Sequence, residues 1–395
     1  AATASGGGAA VAAMVAANNT GSFFLPAFVR KLADDDVQTV MIVGCGGGFD
    51  FVHGMLVYPE LRRLGKTVVI ASYSFGNPEH YHAPSKADKT AVEVVNAKPL
   101  AVKVTAAAGA SQGYCPESRM CGYLDEHFPL ADGAKHAIYA HYARDWCPLA
   151  LSLFYTRLVE KHAVDALICI DGGTDSLMRG DEAGLGDPIE DAVSVVTCAN
   201  LPCDRLKYRF LIAVGFGSDR FNDVSDFESL RAVAELTKAG AFEGCISCEP
   251  QSAGFVNYKA CVEHIYAGQR FRSVLTSMII AAGEGEYGSE YVPPTVAHRV
   301  RPGAAFIWPL MAMLWAFDVR AVARRSLLCA ALRDVDSVPG CYMALQRVRE
   351  TNDVAPVRNL PLHEEYSHCR RWATRGGGGG GGVSGGGSAA AAAAA

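Results

Sequence analysis

The stretch Thr39-Val40-Met41-Ile42-Val43-Gly44-Cys45-Gly46-Gly47-Gly48-Phe49-Asp50 decides the fold. Thr39–Val43 is apolar and β-branched and reads as a buried strand. Glycines at 44, 46, 47 and 48 then break it, and a periodic apolar segment near Val52–Leu64 reads as a helix. Strand, glycine turn and helix together form the opening unit of an α/β sheet. Outward from it, Thr67–Ser72, Ala166–Ile170, Phe210–Val214 and Cys245–Cys248 are further short apolar runs. Helical patterns cover Ala137–His162 (interrupted at Pro148), Val256–Ala267, Ser273–Ala282 and Met311–Arg325, and the apolar stretch Ala304–Phe317 reads as a buried helix. This rhythm predicts an α/β fold with a mostly parallel, Rossmann-like doubly wound sheet and helices on both faces. In such sheets ligands bind beyond the carboxyl ends of the strands.

The chain has 395 residues, 36 Lys plus Arg against 41 Asp plus Glu, and a formal charge of −5. Half the residues are hydrophobic, enough for a large core, which excludes a disordered chain or a disulfide-stapled miniprotein. Mild acidity argues against nucleic acid as the partner. No run of 18 uncharged apolar residues occurs, so a membrane span is not expected. Residues 1–21 are Ala/Gly-rich and 376–395 are a Gly run followed by poly-Ala, and 1–21 and 373–395 read as disordered extensions. One large α/β domain is expected over 22–372. The first arginine is Arg30, a poor match to a transit peptide or a secretion signal, so the cytoplasm is the expected compartment. Thirteen cysteines, odd in number and mostly set in apolar runs, read as buried reduced thiols. Cys245 and Cys248 form a C-x-x-C with no second pair to complete a zinc site.

Three strand ends carry the candidate site. In the first loop, Gly44, Gly46, Gly47 and Gly48 allow close approach of a ligand, and a following helix N-terminus favours an anion. The spacing is neither a P-loop nor a dinucleotide fingerprint, because Phe49 stands where the latter needs glycine. Asp50 either caps the helix or binds a ribose hydroxyl, a metal or an amine. The second loop, Asp171-Gly172-Gly173-Thr174-Asp175, runs on through Asp181-Glu182 to Asp187-Pro188-Ile189-Glu190-Asp191. Seven carboxylates and five glycines fall within these 21 residues. Packed carboxylates need a cation or hydrogen-bond donors, and oxygen ligands of this kind suit Mg²⁺ or Mn²⁺. Asp171 and Asp175 are the candidate metal ligands. Asp181 and Glu182 are the candidate catalytic residues, completing the metal shell or acting as general base, and Gly172, Gly173 and Thr174 line the ligand. With Asp187 as N-cap and Pro188 in the first turn, Glu190 and Asp191 read as complements to a helix dipole. A third loop, Gly215-Phe216-Gly217-Ser218-Asp219, places Gly215, Gly217, Ser218 and Asp219 at another strand end.

Lesser candidates are the Gly283–Gly288 loop, a lid or a solvated turn; Cys115-Pro116-Glu117, a cysteine without a visible base; and His80 and His82, a pair in a surface loop. The whole fits an enzyme that binds a small anionic or nucleotide-like metabolite with a divalent cation. Phosphoryl transfer, hydrolysis and lyase chemistry are all compatible. A non-catalytic metabolite-binding or sensing protein is the alternative, and assembly into a homo-oligomer is left open.

Gly44–Asp50, Cys115-Pro116-Glu117 and, above all, Asp171–Glu182 with Gly186–Asp191 resemble the family catalogued as domain of unknown function 1152. Gly283–Gly288 and Trp315–Asp318 fit its C-terminal part, and the resemblance spans residues 38–330. Cys45 and Phe49 depart from the family's first loop. The resemblance implies where the site lies and supplies no reaction. More distantly, the Asp-Gly-Gly core is similar to the acidic glycine motif of D-glutamate cyclase-type enzymes, which are metal-dependent lyases.

Overall fold

The computed structural model describes residues 25–76, 92–108 and 113–358. The expected terminal extensions 1–21 and 373–395, and the pair His80 and His82, lie outside the described residues. Among the described residues the strands are β1 (Thr39–Gly44), β2 (Thr67–Tyr73), β3 (Val92–Ala97), β4 (Leu100–Thr105), β5 (Ala137–His141), β6 (Ala166–Asp171), β7 (Tyr208–Ala213), β8 (Phe242–Ser247) and β9 (Met313–Asp318). They form one sheet in the order β3-β4-β5-β2-β1-β6-β7-β9-β8.

β5, β2, β1, β6 and β7 are mutually parallel. Counted along the chain these five lie in the order 3-2-1-4-5, which is the doubly wound order with its switch point between β1 and β6. Every position of β1 and β6 is buried, as strands covered on both faces require. Their side chains alternate between two cores. Met41, Val43, Leu167 and Cys169 face one, with helices Pro148–His162 and Pro188–Asn200. Val40, Ile42, Ile168 and Ile170 face the other, with helices Pro116–His127 and Ala253–Gly268. The α/β, doubly wound reading therefore holds.

Four local expectations are corrected. The segment Val52–Leu64 is not one helix but a 3₁₀ segment Asp50–Leu56 followed by helix Tyr58–Arg63. Gly54 and Pro59 interrupt the α geometry there. Ala137–His162 divides at Pro148 into β5 and a helix, because its first five residues complete the sheet beside β2. The apolar stretch Ala304–Phe317 and the start of Met311–Arg325 fold as a 3₁₀ turn, Pro309–Ala312, and then β9. Helix resumes only at Val319–Arg325. A continuous apolar run does not distinguish a strand from a buried helix. β4 and β9 run antiparallel to their neighbours, so mixed flanks border the parallel centre, within the mostly parallel sheet that was expected.

The twelve described cysteines are free, and ten of them are buried. Cys245 lies on β8 with Cys248 just beyond it, and no third metal-ligating group joins them among the described residues. No described helix is long and apolar enough to cross a membrane.

Candidate functional site

The three glycine and aspartate loops meet at the switch point. Asp50 Oδ1, at the start of its 3₁₀ segment, accepts the Gly172 N–H at 3.0 Å. Asp219 Oδ2 accepts the Thr174 N–H at 2.6 Å, and the Ser218 hydroxyl donates to Gly172 O at 3.4 Å. Within the second loop, Asp171 accepts from the Gly173 N–H at 2.7 Å and from the Ser176 hydroxyl. Asp175 Oδ2 accepts from the Asp187 N–H at 3.0 Å. Asp187 stands at the N-cap with Pro188 in the first turn, yet its carboxylate makes no capping bond.

Asp171, Asp175 and Asp191 form the centre. Each presents a carboxylate oxygen, and these oxygens all lie within 4.8 Å of one another. Oxygens on opposite sides of a hard cation stand about 4–5 Å apart, given bond lengths near 2.0–2.6 Å. Asp171 is 3 % exposed and Asp191 is 5 % exposed. Asp191 Oδ2 is buried without a hydrogen-bond partner. Among the described residues, none of Asp50, Asp171, Asp175, Asp191 and Asp219 forms a salt bridge with a lysine or arginine.

The electrostatic consequence is uniform in sign. Burial, then the charge of Asp175, pushes the Asp171 carboxyl up to about 8. Burial raises Asp191 and Asp219 as well, and Asp175 and Asp171 add to it. Asp50 is raised by burial and by Asp171, with the Gly172 bond working in the opposite direction. A group of buried carboxylates with no counter-charge holds protons or a cation. His53, beneath Asp50, is lowered by burial to about 4 and is neutral at pH 7. Its Nδ1 lies 3.1 Å from Asp50 O, which assigns the proton to Nδ1.

The glycines make room for these carboxylates. Gly46 has φ +80°, and a β-carbon there would stand 2.1 Å from Asp191 Oδ1 and 3.2 Å from Asp50 Oδ2. A β-carbon on Gly173 would stand 2.2 Å from Asp219 Oδ2. The first loop spends its donors internally. The N–H groups of Cys45, Gly46 and Gly48 donate to Ile170 O (2.7 Å), Ser194 Oγ (3.1 Å) and Tyr73 O (3.0 Å). Gly47 and Gly48 pack against the Phe75 ring, and Gly44 lies beneath Phe51 N. In the third loop, Gly215 donates to Met311 O, and Gly217 sits against Trp308 and Asp226.

Asp181 and Glu182 are not among the converging carboxylates. Glu182 is buried, and its oxygens accept the N–H groups of Arg179 (2.9 and 3.0 Å) and Gly180 (2.9 Å). Asp181 lies 3.7 Å from Arg179 Nε. Asp191 is the residue that the helix-dipole reading passed over. The visible signal was its place on the apolar stripe with Val195 and Cys198, where a solvated dipole complement does not belong. Ser194, three residues on, shares that face and holds Gly46.

No curated protein and no solved structure matches the chain. A family model described as "Protein of unknown function (DUF1152)" matches residues 150–354, more than half of the chain. The match covers Asp171, Asp175, Asp191 and Asp219, and it begins after the first glycine loop. By this match the chain belongs to the DUF1152 family, as the acidic loop led us to expect.

Proposed function

We propose that Asp171, Asp175 and Asp191 bind a divalent cation, Mg²⁺ or Mn²⁺, and that the cation recruits a small anionic metabolite to the switch-point crevice. One observation carries this reading: three carboxylates converge within 4.8 Å, two of them buried, with no basic partner among the described residues. Asp50 and Asp219 act as positioning residues, since each is bonded to the backbone of the Asp171–Asp175 loop. The first glycine loop serves the cation side of the site, because its glycines clear space for Asp191 and Asp50 and three of its N–H groups are already used. An anion reaches such a negative crevice through the metal rather than through a backbone cradle. The bound cation would polarise a phosphoryl or carbonyl oxygen or ionise a water. This supports phosphoryl transfer, hydrolysis or lyase chemistry.

A non-catalytic sensor is the second reading. The observation in its favour is that the Glu182 carboxylate is fully engaged by backbone donors rather than directed at the centre. Native mass spectrometry with metal analysis on the purified chain, against Asp171→Asn/Asp175→Asn, tests both. A divalent metal or anionic metabolite that co-purifies with wild type and is lost in the variant supports the site. Turnover of that metabolite selects the enzyme, and stoichiometric binding without turnover selects the sensor. A wild type without metal, whose melting does not respond to Mg²⁺ or Mn²⁺, rejects the proposal.

A further inference from the structure

A second, oppositely charged feature lies at the far end of the helix that carries Asp191. Helix Pro188–Asn200 begins at the carboxylate centre and ends beside a cavity of about 260 Å³. Asn200, Arg320, Arg324 and Arg333 line this cavity, over a floor that includes Val196 and Cys329. No carboxylate is among its lining residues. At a rise of about 1.5 Å per residue, Asp191 and Asn200 are separated by roughly 14 Å along the helix.

Arginines near a helix C-terminus commonly neutralise its free carbonyls. That task is already assigned here. Arg209 donates to Ala199 O at 2.8 Å, Leu201 O at 2.8 Å and Cys203 O at 3.1 Å. Arg320 is held in a two-point contact with Asp318, at 3.0 and 2.7 Å. Arg324 and Arg333 have neither a salt bridge nor a hydrogen bond among the described residues. They reach the cavity from two consecutive short helices, Val319–Arg325 and the C-cap of Leu327–Leu332. Both are exposed, so solvent screens their mutual repulsion, and Arg324 also helps Arg320 hold the Asp318 carboxyl below its usual value against burial; an anion seated between the two guanidinium groups would gain from both charges.

We propose that this cavity binds a soluble phosphate-bearing anion through Arg324 and Arg333, with Arg320 and Asn200 completing the ring of donors. Guanidinium suits phosphate because its fork of N–H groups matches two phosphate oxygens at once. The volume bounds the guest. It is below the range of about 300–1,000 Å³ that encloses a drug-sized ligand, so a phosphate or diphosphate group fits within it, and any larger remainder of the guest would lie in solvent. The site is separate from the carboxylate centre and does not require a metal.

The test is isothermal titration of the full chain with inorganic pyrophosphate in buffer containing a chelator, so that the carboxylate centre cannot contribute through a cation. Wild type binds saturably, and Arg324→Ala/Arg333→Ala weakens binding by about tenfold or more, as loss of charge-assisted contacts requires. Raising the salt concentration weakens wild-type binding in parallel. The double variant, without ligand, melts close to the wild-type temperature, because both arginines are exposed and make no hydrogen bond or salt bridge among the described residues. The proposal is overturned by any of four results: no saturable binding by wild type, equal binding by the variant, affinity indifferent to salt, or a variant that melts well below wild type. Sedimentation with phosphatidic acid vesicles, in the absence of pyrophosphate binding, likewise overturns it in favour of a lipid surface.

Discussion

Asp50 Oδ1 and the Gly172 N–H, 3.0 Å apart, join the loop after β1 to the loop after β6. These strands are neighbours in the sheet although β2, β3, β4 and β5 intervene along the chain. The bond therefore fixes the crevice where the strand order reverses. It also brings a carboxylate of the first loop close to Asp191, whose Oδ1 shares with Asp50 Oδ2 the space that a β-carbon at Gly46 would fill. Four separate segments thus supply one acidic centre.

Neutralising that centre should stabilise the metal-free protein. In Asp175→Asn, a negative charge that raises both Asp171 and Asp191 is removed. We expect its metal-free melting temperature to equal or exceed that of wild type, and its response to Mn²⁺ to disappear. Differential scanning calorimetry with and without Mn²⁺ checks both parts. A variant that still gains wild-type stability from Mn²⁺ removes Asp175 from the ligand set.

Gly46→Ala tests the packing of the centre. Its φ of +80° is strained for alanine, and the added carbon collides with Asp191. Gly65→Ala is the matched control, with φ +76° and nothing within 4 Å. Each should lose about 1–2 kcal/mol to backbone strain. Only Gly46→Ala should also lose the Mn²⁺ response, because only there must a ligand move. Equal responses in the two variants would separate the first loop from the cation site.

The pH dependence has a definite sign. Asp171 titrates near 8 in the folded chain and near 4 when unfolded, so between those values the native state holds the extra proton. The stability of the metal-free protein should therefore be greatest below about pH 4 as far as this group is concerned, and should decline as pH rises towards 8. A cation displaces the proton. Mn²⁺ affinity should accordingly increase over the same interval, and binding should release protons that calorimetry in buffers of different ionisation enthalpy detects. Affinity that is flat from pH 5 to pH 8 would contradict the raised carboxyl.

Glu182→Gln separates support from catalysis. Glu182 Oε2 accepts both the Arg179 and the Gly180 N–H, and Oε1 accepts that of Arg179 as well, so an amide whose oxygen takes the Oε2 place turns an NH₂ donor against the Arg179 N–H. Leaving a buried donor unpaired costs roughly 1–3 kcal/mol. We expect reduced stability with an unchanged Mn²⁺ response. If the variant keeps wild-type stability but loses turnover of a metabolite identified by co-purification, Glu182 takes the general-base role read from sequence.

The parts of the site legible in the sequence are those where a strand runs directly into glycine and aspartate. Val43-Gly44, Ile170-Asp171 and Val214-Gly215 mark three carboxyl ends, and in the fold all three loops meet. Asp191 was not legible in the same way. At the start of a helix an acid has a sufficient local explanation in the dipole, and only the tertiary contact with Gly46 gives it a further one. The Glu182 loop misled in the opposite direction, because a carboxylate that closes a turn on its own backbone looks in sequence like one available for chemistry. β9 was missed because its apolar run has no period that separates strand from helix. Its strand character comes from β7 and β8 on either side.

The position of β1 also governs how the chain must be made. Val40 pairs with Val68 on one side and with Ala166 on the other. While a ribosome is extending the chain, the first partner emerges soon after β1, but the second emerges only after β5 and the helix Pro148–His162. Throughout that interval one edge of a strand that is apolar but for Thr39 is exposed, without the charges or proline that blunt natural sheet edges. Slow, long-range pairing of this kind favours aggregation of unfinished chains. Truncations that end before Ala166 should therefore be recovered as inclusion bodies or chaperone complexes, so attempts to produce the amino-terminal half alone should fail.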